Sequence, residues 1–99
     1  MSGYEAHFAE NARLIILRFL YEDTANTSND SLIQRRLEVF GINRSRDFAR
    51  TQILALKDLG AVTVVPAGTA LIATLTRAGI DHVERRAVLA GVQRPSPEG

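Results

Sequence analysis

The chain has 99 residues, 45% of them apolar and 23% charged, with a net charge of +1 and no cysteine. That is room for one hydrophobic core and not two, and the composition is too apolar for a disordered chain. The missing cysteines exclude a disulfide framework and any Cys-based zinc site. No apolar run approaches the roughly 20 residues needed to cross a bilayer, so no membrane role is expected. The opening MSGYEAHFAE is polar and acidic, unlike a secretory signal. The chain therefore reads as soluble and intracellular, one domain over residues 1–99.

A first helix is expected over about Glu5 to Tyr21, where Phe8, Ala12, Ile15, Ile16, Phe19 and Leu20 form one apolar stripe. Leu14 and Leu17 fall off that stripe. A small monomer needs one buried face, so they point to a subunit contact. Glu22–Ser28 is polar and reads as a loop. Ser28 or Asn29 then caps a second helix over about Asp30 to Phe40, buried through Ile33, Leu37 and Phe40 and closed by Gly41.

The third helix spans about Arg44 to Leu59, capped by Asn43 or Ser45, with Ala49, Ile53 and Leu56 on its core face. Gly60 ends it. Two β-rich runs follow, Ala61–Val65 and Leu71–Thr76, and Pro66 and Gly68 suit the turn between them. Thr76 caps a fourth helix over about Arg77 to Ala87. The tail from about 88 to 99 holds Val88, Leu89 and Val92 before two prolines and reads as an extended, partly flexible arm. Three helices leading into a two-stranded hairpin, then a helix and an arm, are α+β, in the pattern of a winged helix-turn-helix.

Residues 1–43 carry four bases against six acids, a balance of −2; residues 44–99 carry eight against five, a balance of +3. The expected recognition helix and wing thus lie in the basic half. All bases but Lys57 are arginine, which suits phosphate and guanine contacts. Catalytic patterns are thin. His7 and His82, read as partly exposed surface residues, have no metal-ligand spacing, and the glycines form neither GxGxxG nor GxxxxGK[ST]. No enzyme activity, metal or cofactor is expected.

Helix three supplies the candidate site. Arg44, Ser45, Arg46, Arg50 and Thr51 would face duplex DNA, with Gln52 as a further polar contact and Arg35 and Arg36 on the adjacent backbone. Against this stand Asp47 and Asp58, an uncharged wing tip, and local pairing of Asp47 with Arg44 or Arg50. Phe48 and Leu54, odd on a DNA-facing surface, support a rival role as a protein-docking face. Helix one and the arm, through Leu14, Leu17, Val88, Leu89 and Val92, are the candidates for a homodimer contact.

The segments ARLIILRFL, SRDFARTQILALKDLGAVTV and LIATLTRAGIDHVERRAVLAGVQRPSP resemble a family of small winged-helix proteins from Mu-like tailed phages and prophages. The resemblance covers nearly the whole chain, including the RPSP ending. The central part alone is also similar to the winged helix of ArsR-type repressors, which commonly sense metals through cysteines that are missing here. The phage family carries no assigned functional residues; its members are generally read as DNA-binding, and some lie near packaging and head genes. The resemblance implies a phage origin and a winged helix. The expectation is a homodimeric DNA-binding regulator in the bacterial cytoplasm, or alternatively a docking adaptor for a phage protein in DNA packaging or head assembly.

Overall fold

A computed structural model describes residues 3–97; the last two residues of the expected arm lie outside them. The order is α1 Gly3–Glu22, β1 Thr27–Asn29, α2 Asp30–Val39, α3 Arg46–Asp58, β2 Val62–Ala67, β3 Ala70–Leu75 and α4 Arg77–Val83. The described residues form an α+β fold with four helices and one three-stranded antiparallel sheet, in the order β1-β3-β2.

Three side chains cap three helices. Asn29 accepts from the Leu32 amide, Ser45 from Phe48 and Thr76 from Gly79, each satisfying a donor that the first helical turn leaves unpaired. Gly41 (φ +84°) and Gly60 (φ +80°) close α2 and α3. In both, the next amide reaches back across the end: Ile42 to the Leu37 carbonyl and Ala61 to that of Leu56, each at 2.9 Å. Ile42 and Ala61 are then buried against the core, so the same turn that stops the helix also seals it.

The structure corrects the sequence expectation in three places. Thr27–Asn29, the end of the expected loop and the cap that follows it, forms β1 and pairs with Ile72–Thr74. The threonine hydroxyls of Thr27 and Thr74 meet at 2.9 Å, and the Leu75 amide bonds the Asn26 carbonyl at 2.9 Å. A three-residue polar strand has no periodicity to reveal it; only its partner makes it a strand. Second, Pro66 is not in the turn. It pairs with Leu71 within β2, and Gly68–Thr69 forms a two-residue loop with Gly68 at φ +61°. Because β2 is an edge strand, proline's missing N–H costs no ladder bond. Third, α4 stops at Val83, because Arg85 turns left-handed at φ +63°.

The core gathers Ile16, Leu17 and Leu20 of α1 with Ile33, Leu37, Ile53 and Leu56, over Val62, Ala73 and Leu75 of the sheet. Leu14 and Leu17, expected at a subunit contact, are buried within the protomer. The reason is that α1 is central: it touches α2, α3, α4 and two strands, so it needs more than one apolar side. The arm covers part of what remains. Val92 is buried, Leu89 half-buried and Val88 exposed, while the Gln93 amide bonds the Glu10 carbonyl and Arg13 holds the Gly91 carbonyl at 2.9 Å. His82 also differs from expectation. It is fully buried, accepting the Leu89 amide at Nδ1 (3.1 Å), which leaves Nε2 to donate to the Gln93 carbonyl (2.8 Å). The imidazole pins the arm to α4.

Candidate nucleic-acid interface

The first turns of α3, the start of α2 and the hairpin tip meet at one carboxylate. Asp30, the first residue of α2, is completely buried. Its Oδ2 accepts from Arg46 Nε at 3.0 Å and from Arg50 Nη1 at 2.7 Å. Its Oδ1 accepts from the backbone amides of Ser31 (3.1 Å) and Leu71 (3.3 Å). The same two guanidiniums continue to the tip, where Arg46 Nη2 and Arg50 Nη1 both donate to the Thr69 carbonyl at 3.0 Å. Arg46 and Arg50 lie one helical turn apart, so they project from one face of α3. Burial alone would push the Asp30 carboxyl up; the two guanidiniums and the Leu71 amide outweigh it and hold its pKa below the ordinary value.

The other sequence-derived residues scatter in their roles. Ser45 caps α3, its Oγ accepting from the Phe48 amide. The Arg44 guanidinium lies 4.5 Å from the Phe8 ring centroid and 4.9 Å from that of Phe48, within cation–π range, and its carbonyl accepts from Gln34. Phe48 is half-buried, its ring 5.8 Å from Phe8, and so links α3 to α1 instead of forming an open docking residue. Arg36 turns back to α1, where it is bidentate to Glu22 and stacked 4.5 Å over Phe19. Arg35 and Thr51 are exposed, and Arg35 makes no ion pair among the described residues. Leu54 is 44% exposed.

Two further expectations are corrected. Gln52 does not face outward: it is buried and accepts from Arg13 Nε at 2.8 Å, tying α3 to α1 beneath the arm. Asp47 forms no ion pair with Arg44 or Arg50, because Arg50 is drawn to Asp30. The basic half of the sequence is also divided in space. Arg77 sits on α4, Arg85 and Arg86 in the turn after it and Arg94 on the arm; Arg77 pairs with Asp81 and Arg86 with Glu84. Arg85 and Arg94 line a surface cleft of about 410 Å³ beside His82.

Asp30 and Thr69 are the site residues that sequence reasoning missed. Asp30 reads in sequence as an acid favourable to a helix N-terminus. The spacing of Arg46 and Arg50 was a usable signal for a shared anion, but nothing local says which anion. Among the described residues, no cluster of acids and histidines could hold a metal, and no helix is long and apolar enough to cross a membrane.

The described residues thus form a four-helix, three-stranded α+β fold whose α3 is clamped to its hairpin. The chain is 44% identical over 88 residues to the uncharacterized protein gp26 of Escherichia phage Mu, an overlap spanning 89% of this chain and 91% of that protein. It belongs to the family of that Mu protein, which gives it a phage origin. No protein-family model matches the chain, and no solved structure matches it significantly.

Proposed function

We propose that this phage protein is a winged helix that binds duplex DNA, with α3 as the groove-entering helix and the β2–β3 hairpin as the wing, and that it acts as a homodimeric regulator. The observation that carries this reading is the junction of Arg46 and Arg50 with the Thr69 carbonyl. It makes the first turns of α3 and the hairpin tip one rigid face, with the two arginine side chains still 41% and 33% exposed. Helix order, the cap at Ser45 and a β1 strand closing the hairpin into a sheet support the winged-helix assignment. Arg35 and Thr51 add exposed polar groups on α2 and α3. One protomer offers few phosphate contacts, and a two-fold pair doubles them. Since Leu14, Leu17 and Val92 serve the protomer's own core, a dimer contact must use other residues, and Val88 is the exposed one left on the arm.

The test is anisotropy titration of a labelled duplex between 50 and 200 mM salt. If about five phosphates are neutralised per complex, log K falls with log salt at a slope near −4 to −5. Arg35→Ala should weaken binding across all sequences. Affinity that is absent, or indifferent to salt, refutes the reading. Leu54 favours the second one, a docking adaptor in packaging or head assembly: an exposed leucine on α3 is poorly placed against phosphates and well placed against a protein. Under that reading Leu54→Ser abolishes capture of a terminase or head protein, and DNA affinity stays negligible.

A further inference from the structure

The pairing at Asp30 is more elaborate than a structural tie requires. Two guanidiniums share both of their acceptors, Asp30 Oδ2 and the Thr69 carbonyl, within 2.7 to 3.0 Å. Two like charges drawn to the same two oxygens repel each other, and a single carboxylate neutralises only one of them. The cluster therefore keeps one net positive charge. It also keeps unused donors: Arg46 Nη1 and Arg50 Nε and Nη2 make no hydrogen bond among the described residues. Because Asp30 is fully buried while the arginines are partly exposed, the carboxylate holds the fork from below and leaves its outer edge open. Planar guanidiniums fixed this way have little rotamer entropy left to lose when an anion arrives.

We propose that Asp30 is a positioning residue which, with the Thr69 carbonyl, sets Arg46 and Arg50 as a preformed slot for one phosphodiester phosphate. This rests on the nucleic-acid reading above and names how its central contact is made. It also predicts an inversion of simple charge logic. Asp30→Asn raises the net charge from +1 to +2, so electrostatic attraction alone would strengthen binding to a polyanion. Loss of the preset fork weakens it instead, by about tenfold, because both arginines must then be ordered at the moment of binding. Arg50→Lys keeps the charge but has no second nitrogen to offer a phosphate while the first holds Asp30 and Thr69, and should lose affinity comparably.

The experiment follows the arginine side-chain N–H signals by NMR while the full chain is titrated with a short duplex and, separately, with inorganic phosphate. Anisotropy measurements on Asp30→Asn and Arg50→Lys accompany it. Shifts at Arg46 and Arg50 with both ligands, and weaker duplex binding by both variants, are expected. If Asp30→Asn does not fold, Arg50→Lys decides: retained affinity overturns the slot. Duplex binding with silent Arg46 and Arg50 signals, or with equal or higher affinity in Asp30→Asn, overturns the slot and leaves the nucleic-acid reading standing. A response to inorganic phosphate with no duplex binding overturns the phosphodiester slot together with the nucleic-acid reading and leaves a simple anion site. Silence toward both ligands overturns the slot outright.

Discussion

Gly79→Ala sets two opposing effects against each other. Gly79 is the third residue of α4, and its amide completes the Thr76 cap. In an isolated helix, alanine in place of glycine would gain up to about 1 kcal/mol. Here the added Cβ would overlap the Ala61 carbonyl oxygen and a Leu75 methyl. The Leu75 side chain can turn away, but the carbonyl cannot, since it accepts the Thr76 amide at 3.0 Å. Forcing a methyl into such a contact costs about 1–3 kcal/mol, and displacing the carbonyl loses about 1 kcal/mol more. Overpacking therefore wins by about 2 kcal/mol, a fall in Tm of about 10 °C for a domain of this size. Gly41→Ala is the comparison, because nothing lies within 4 Å of its Cβ and only its φ of +84° is at issue. That substitution should cost about 1 kcal/mol. Thermal unfolding followed by circular dichroism at 222 nm measures both. An unchanged or raised Tm in Gly79→Ala, or a larger loss at Gly41, refutes the packing argument.

Two further outcomes follow from the geometry. Arg85 occupies after α4 the left-handed position that glycine takes after α2 and α3, with its amide on the His82 carbonyl at 3.1 Å; Arg85→Gly should raise stability by about 0.5–1 kcal/mol, and a loss of stability in chemical denaturation would contradict the strain assigned there. Asp30 has a folded-state pKa below its ordinary 3.8, so its stabilisation is complete above that value and is lost as pH falls through the folded one. The stability gap between the wild type and Asp30→Asn should therefore close progressively below about pH 4; urea unfolding at pH 6 and at pH 3 with an unchanged gap would count against the pairing.

Most of the local structure was legible because its causes are local. Apolar residues at helical spacing, a capping side chain at Asn29, Ser45 and Thr76, and glycine at Gly41 and Gly60 each act within a few residues. They define α2, α3 and the start of α4 without reference to anything distant. The end of α4 escaped because an arginine does there what glycine usually does. The resemblance to Mu-like phage proteins likewise needed no coordinates, and the 44% identity to the Mu protein bears it out.

Tertiary structure decided what depends on partners far apart in the chain. Whether Leu14 and Leu17 are surplus or core depends on how many elements surround α1, and that is a property of the packing. β1 exists because β3 offers it hydrogen bonds. His82 is buried because the arm returns to it. The charge asymmetry of the sequence dissolves once half of the eight bases in its basic half prove to sit on α4, the turn after it and the arm. Arg46 and Arg50 could be named as anion ligands from their spacing, but their first anion is the protein's own Asp30, 16 and 20 residues away. Electrostatic pairing acts through space and, at a buried carboxylate, the nearest guanidiniums outcompete any local partner. The sequence alone therefore established most of the elements and the ancestry of this protein, and only the folded chain could determine which of its charges remain available to a ligand.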